Sequence, residues 1–215
     1  MCLPRQIIKD KKMETLSYIN YIIAIIFTLC YCYQFFYVIV PWLFAKKKSK
    51  APVTDHKYAV LIAARNEEVV IGNLIESIKD QKYDSSLVNV FVVADNCTDK
   101  TAEIARSLGA TVYERFNKER VGKGYAMEYL LDRINADYGW DSFDGYFIFD
   151  ADNVLDENYI AEMNKTFSQG YSIVTGYRNS KNYGDNWISA GYGLWFLRES
   201  QYLNRSRMCL GTSSS

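Results

Sequence analysis

No charged residue occurs between Glu14 and Lys46, and this gap constrains what the chain can fold into more than any other feature. Residues 21–45 (YIIAIIFTLCYCYQFFYVIVPWLFA) form an apolar run of 25 residues, beyond the ~20 a helix needs to cross a bilayer core. Tyr18, Tyr21 and Trp42 stand toward its ends, where amphipathic rings favour the headgroup layer. Gln34 interrupts the run with an amide, a far smaller penalty than a charge. The run is too long for the apolar core of a signal peptide, and no small-x-small cleavage pattern follows it. A transmembrane helix is therefore expected over 18–45, behind a cytosolic or external tail of residues 1–17. Lys46, Lys47, Lys48 and Lys50 flank one end; Arg5, Lys9, Lys11 and Lys12 flank the other. These nearly balance, unless translation starts at Met13, in which case the bias becomes decisive. The cytoplasm is the expected side for the soluble domain.

Residues 46–56 read as a basic, polar linker, and the pattern after them alternates between strands and helices. Strands are expected over 58–64 (YAVLIAA), 88–95 (VNVFVVAD), 110–115 (ATVYER), 146–150 (YFIFD) and 171–177 (YSIVTGY). Between them, apolar residues recur at helical spacing. Ile71, Leu74, Ile75 and Ile78 mark a helix over 67–80, with Asn66 as its expected N-cap. Further helices are expected over 99–108, 123–135 (Ala126, Leu130, Ile134), 156–169 (Ile160, Met163, Phe167) and 185–205. The fold class that follows is α/β, a mostly parallel sheet with helices on both faces, a Rossmann-like architecture preceded by one transmembrane helix.

Composition removes several alternatives. With 25 basic and 25 acidic residues the formal charge is zero, which argues against a nucleic-acid binder driven by a basic surface. A single histidine, His56, and five scattered cysteines without a Cys-x-x-Cys pair exclude a zinc site or a His-driven triad, and unpaired thiols suit a reducing compartment.

In open parallel sheets, ligands bind beyond the carboxyl ends of strands, and the polar residues with most chemistry fall there. Ala64, Arg65, Asn66 and Glu67 follow the first strand, Asp95 and Asn96 end the second, and Asp150 and Asp152 follow the fourth. Two carboxylates two residues apart offer hard oxygen ligands suited to Mg²⁺ or Mn²⁺; equally, each can cap a turn amide. Asp95 can accept from a base or ribose, or serve helix capping. Lys123, between Gly122 and Gly124 at a helix start, supplies a point charge for phosphate, without the flanking residues of a Walker A loop.

The succession YAVLIAARNEE, FVVADNCTDKTAEIA, KGYAM and FDADN resembles the family-2 glycosyltransferases over residues 57–212. The resemblance implies an A-type glycosyltransferase fold, a nucleotide-sugar donor (a UDP-sugar above all) and a glycan or lipid-linked acceptor at a cell membrane. Residues 63–67 would line the nucleotide pocket, Asp95 would hold the nucleobase, and Lys123 would meet the diphosphate. Asp150 would lie near the ribose or the metal, and Asp152 would bind Mn²⁺ or Mg²⁺. Arg178, Asn179 and Trp187 would begin the sugar and acceptor surface.

One departure bears on catalysis. The family's catalytic-base carboxylate and its Gln-x-x-Arg-Trp motif belong beyond residue 215, so residues 57–215 are expected to be the N-terminal part of a catalytic domain, with the catalytic residues unknown. Two other readings stay open: a truncated, non-catalytic nucleotide-binding remnant, and a haloacid-dehalogenase-like phosphatase with Asp150 as nucleophile and Asp152 as acid/base. Trp187, Tyr192 and Trp195, at helical spacing, suit a core or a partner surface better than an acceptor sugar.

Overall fold

The computed structural model describes residues 3–44 and 52–212, the side chains of 3–12 excepted. The expected linker lies outside the described residues up to residue 51. The chain divides into two compact units, Ser49–Thr175 and a second that joins the N-terminal helix to the segment from Gly176 onward.

The Ser49–Thr175 unit is built on four parallel strands in the order β3-β2-β1-β4: β1 Tyr58–Ala64, β2 Val88–Asp95, β3 Thr111–Arg115 and β4 Gly145–Asp150. β1 is central and buried on both faces, which explains why it reads as an unbroken apolar run rather than an alternation. Tyr58, Val60 and Ile62 face one layer, Ala59 and Leu61 the other.

On the first face pack α2 (Ile71–Lys79), α3 (Thr101–Ser107) and α5 (Tyr159–Phe167). Ile71, Leu74, Ile75 and Ile78 of α2 are all buried there, each contributing about 2 kcal/mol of transfer free energy. The opposite face is covered by α4 (Lys123–Tyr138) through Ala126, Leu130 and Ile134 against Phe91 and Val93. Helices thus lie on both faces, as the strand–helix alternation implies.

At the amino edge of the sheet a buried amide organises the entry into β1. Asn164, 2% exposed, accepts on Oδ1 from the Tyr58 hydroxyl (2.7 Å) and donates from Nδ2 to the Thr54 carbonyl (2.9 Å). His56 Nδ1 lies 2.9 Å from the same oxygen, and because an amide oxygen only accepts, Nδ1 carries the proton. Gly145 pairs in register with Tyr58 because nothing larger fits: a Cβ there would stand 2.8 Å from the tyrosine ring.

Two expectations fail. Residues 171–177 form no strand, and Ile173 is 87% exposed. β-branched residues favour an extended chain, but a strand exists only where a neighbour's backbone completes its hydrogen bonds, and no described strand pairs with this segment. Nor does Asn66 cap α2. The N-cap is Val70, after a turn closed by Val70 and Ile71 amides on the Glu67 carbonyl (3.1 and 2.9 Å), while Asn66 takes a left-handed φ of 55°.

In the second unit, α1 (Leu3–Phe44) contains a stretch, Met13–Phe44, that is long and apolar enough to cross a membrane. After Gly176 come α6 (Trp187–Leu197), a π-helical stretch Arg198–Asn204 and α7 (Arg205–Leu210). Asn186 caps α6, accepting on Oδ1 from the Ile188 and Ser189 amides at 3.0 Å each. The Ser206 hydroxyl, fully buried, reaches the Tyr37 carbonyl of α1, tying α7 to the C-terminal end of that helix beside the buried Val40.

Candidate functional site

The parallel register brings the residues singled out above to one edge. Ala63 stands opposite Asp150, Ala64 opposite Ala94, and Asp95 opposite Arg115. With neighbouring strands about 4.8 Å apart, the loops after β1, β2 and β4 open side by side at the carboxyl end of the sheet.

The loops after β1 and β2 are laced together by short polar contacts. Asn66 Oδ1 accepts from the Thr98 amide (2.8 Å), and the Asn66 amide points to Cys97 Sγ at 3.4 Å. The Glu67 amide donates to Thr101 Oγ1 (2.8 Å) and the Glu68 amide to Asp99 Oδ2 (3.1 Å), while Glu68 returns the contact by accepting from the Lys100 amide (3.0 Å). Asp99 Oδ1 also accepts from the amide and the hydroxyl of Thr101, which opens α3. Burial raises the Asp99 pKa, but hydrogen bonds from Thr101 and from the Glu68 amide outweigh it and hold the carboxyl below its usual range. The Cys97 thiol is pushed up, first by burial, so it stays neutral near pH 7.

Asp95 is buried, 5% exposed, and paired with an equally buried Arg115, whose Nη1 donates to Asp95 Oδ1 at 2.5 Å. Asn96 Nδ2 donates to the same oxygen (3.1 Å). Arg115 is held in turn by the Arg120 carbonyl (2.7 Å), and Asn96 Oδ1 accepts from the Asn117 amide (2.9 Å). The loop 116–122 is thereby fastened over the end of β2. A carboxylate held in a nearly closed pocket by a guanidinium is a directed acceptor, because its geometry is set before a ligand arrives.

Gly122 carries that loop into α4 with φ 137°, a conformation that only glycine adopts without strain, and Lys123 follows as the first helical residue. The Lys123 ammonium forms an ion pair with Asp150 Oδ1, so the start of α4 meets the end of β4. Both side chains are about half exposed, which leaves the pair open to an incoming anion. Asp150 begins a turn in which its carbonyl accepts from the Asn153 amide (3.0 Å), and Asp152 is exposed just past it, touched by Asn153 Nδ2 at 3.1 Å.

Among the described residues no group of three or more His, Cys, Asp or Glu side chains gathers to enclose a metal. The donor chemistry nevertheless fits a hard divalent ion. Asp150 and Asp152 supply oxygen alone, and Mg²⁺ or Mn²⁺ commonly takes one or two carboxylates and completes its shell with water and phosphate oxygens rather than with an all-protein cage.

The remaining expected residues fall as follows. Ala64 is buried at the end of β1, its carbonyl 3.5 Å from Cys97 Sγ; Arg65 is exposed, and Glu67 is half-buried. Arg178 and Asn179 belong to the second unit. Arg115 and Asn117 escaped the sequence reading, although one signal was available: an arginine ends β3 at the level where Asp95 ends its neighbour.

An open parallel α/β sheet with acids and a lysine gathered at its carboxyl edge is a ligand-binding architecture, and sequence comparison gives it a family. The chain belongs to the family described as glycosyltransferase like family 2, whose model matches residues 56–213. Among curated relatives it is 40% identical over 80 residues to the low-salt glycan biosynthesis hexosyltransferase Agl6 of Haloferax volcanii, covering 37% of this chain and 19% of that one. It is 46% identical over 68 residues to 4,4'-diaponeurosporenoate glycosyltransferase of Staphylococcus aureus, covering 31% of this chain and 17% of that one. The match thus spans under a fifth of each relative's length. A solved structure of the mannosyltransferase PcManGT from Pyrobaculum calidifontis, in complex with GDP-Man and Mn²⁺, aligns with 63% of this chain and 39% of its own at TM-score 0.49 and 19% identity. Family membership sets aside the phosphatase reading of Asp150 and Asp152.

Proposed function

We propose that the chain is the donor-binding part of a membrane-bound glycosyltransferase that takes a UDP-sugar, with a glycan or lipid-linked acceptor. The observation that carries this reading is the Lys123–Asp150 ion pair at the carboxyl edge, beside the loops that follow β1 and β2. In the proposed binding mode, the uracil meets Asp95, whose side-chain hydrogen bonds among the described residues both fall on Oδ1. Residues 63–67, including Ala64, Arg65 and Glu67, line the nucleoside pocket. Lys123 moves from Asp150 toward the diphosphate, and Asp150 and Asp152 hold Mn²⁺ or Mg²⁺. When bound, the metal supplies positive charge that offsets the charge growing on the departing nucleoside diphosphate. The chain's own part is to orient the donor and to present Lys123 to that same charge.

In the same proposal α1 crosses the membrane, and the Ser49–Thr175 unit faces the cytoplasm. The hydropathy of Met13–Phe44 and the lysines at 46, 47, 48 and 50 support this arrangement.

The test is titration of UDP into the purified full chain in detergent, with and without Mn²⁺, beside Asp152→Asn. Metal-dependent affinity that drops about tenfold or more in Asp152→Asn is the expected result. A folded chain with no affinity for UDP under either condition would remove the donor-site assignment.

A further inference from the structure

An ordinary surface helix turns its polar face to water, and α6 does the reverse. Between Trp187 and Leu197 it has no charged residue. At about 100° per residue, Trp187, Ile188, Gly191, Tyr192, Leu194 and Trp195 fall within one arc of about 160°. All of them are exposed, with Trp187 at 82%, Tyr192 at 58% and Trp195 at 56%. The opposite arc (Ser189, Ala190, Gly193, Phe196 and Leu197) is half-buried or buried, and Tyr183 closes on Gly193. The helix therefore turns Ser189, Ala190 and Gly193 inward, with Phe196 and Leu197 half-covered beside them, and holds a continuous aromatic and aliphatic face outward, which water disfavours.

The surroundings identify what covers that face. α6 belongs to the same compact unit as α1, and α7 is tied to the C-terminal end of α1 through Ser206 and the Tyr37 carbonyl. At that end a groove of about 340 Å³ is lined by Val38, Pro41, Trp42, Gln201, Tyr202 and Arg205. Arg205 is exposed and forms no ion pair among the described residues; Arg198 and Arg207 flank it along the same stretch. Eleven residues of helix extend about 16 Å, half the thickness of a bilayer core, so α6 is too short to cross. A Trp/Tyr-rich apolar face, arginines beside it and a membrane-length helix in the same unit together match the headgroup layer, where aromatic rings and guanidinium groups meet ester and phosphate groups.

We propose that α6 lies in the headgroup layer of the membrane that α1 crosses, its Trp187, Tyr192 and Trp195 face in contact with lipid. The inference rests on the membrane anchoring proposed above and adds a second, non-spanning attachment to it.

The chain's four tryptophans provide the test. Single-tryptophan versions of the full chain, the other three changed to Phe, are reconstituted in phosphatidylcholine–phosphatidylglycerol vesicles in which part of the phosphatidylcholine is brominated along its acyl chains. Trp42 reports on α1, and Trp140, exposed on the Ser49–Thr175 unit, is the aqueous reference. The expected result is at least twofold quenching of Trp42, Trp187 and Trp195, with Trp140 unchanged. Quenching of Trp42 with Trp187 and Trp195 matching Trp140 overturns the inference and leaves the anchoring intact. Absence of quenching at Trp42 as well overturns both. Unquenched but blue-shifted emission from Trp187 and Trp195, together with cross-linked dimers, assigns the face to a second copy and also overturns it. Should the substitutions prevent folding, a photoactivatable phosphatidylcholine on the unaltered chain answers the same question. Label mapped to 187–197 supports the proposal; label confined to 13–44 refutes it.

Discussion

At the level of single residues, Asp95–Arg115 is the one ion pair among the described residues in which both side chains are buried. Both side chains are nearly closed off from water, so removing one strands the other as an uncompensated buried charge. Arg115→Met is expected to lower stability by about 3 kcal/mol in urea denaturation. Adding Asp95→Asn should recover part of that loss, since the double variant strands no charge. Cys97 offers a chemical check on the lacing of the loops. Its raised pKa keeps the thiol neutral, so alkylation by iodoacetamide at pH 7 should be much slower in the native chain than in urea. Equal rates would show that the burial of Cys97 between the two loops does not persist in solution. Asp99 sets a pH dependence of definite sign. Its folded pKa is depressed, so its contribution is complete above the unfolded value of ~3.9 and is lost as pH falls below it. The urea midpoint should therefore fall less between pH 5 and pH 3 in Asp99→Asn than in the parent chain.

At the level of elements, the entry to α4 couples backbone geometry to the site. Gly122 holds φ at 137°, and a Cβ there would meet no atom within 4 Å, so substitution strains the backbone alone. Gly122→Ala should destabilise by about 1–3 kcal/mol and also weaken UDP binding, because it displaces the helix start that carries Lys123. Gly145→Ala is the steric counterpart, with a Cβ 2.8 Å from the Tyr58 ring at the opposite edge of the sheet. It should lower the thermal midpoint and leave nucleotide affinity unchanged in the folded fraction. A matching loss of affinity would mean that the two edges are coupled.

At the level of the whole molecule, the order β3-β2-β1-β4 turns four separate sequence motifs into one edge. Strands β1, β2 and β4 and their helices were legible because apolar runs and helical periodicity report burial directly, and Ala64, Asp95 and Asp150 were legible because they end those runs. Arg115 was not, since its meaning depends on β3 lying beside β2 in parallel register. The segment 171–177 shows the opposite error. Tyr171, Ile173 and Val174 have the composition of a strand, yet pairing is a property of two segments, and a single run cannot reveal whether its neighbour exists. Trp187, Tyr192 and Trp195 had the spacing of a buried helix face, and only the packing of Gly193 against Tyr183 reveals that Gly193 turns inward and these three rings outward.

The sequence alone determined the parts whose cause is local: a membrane-length apolar helix, alternating strands and helices, and acids placed just past buried strands. Each follows from the cost of burying polar backbone or leaving apolar side chains in water, which short windows of sequence record. Tertiary structure alone decided which acid has a buried cationic partner, which loops are laced together, and which face of α6 is exposed. Those outcomes depend on residues distant in sequence meeting at hydrogen-bond distance, and no local pattern encodes that meeting.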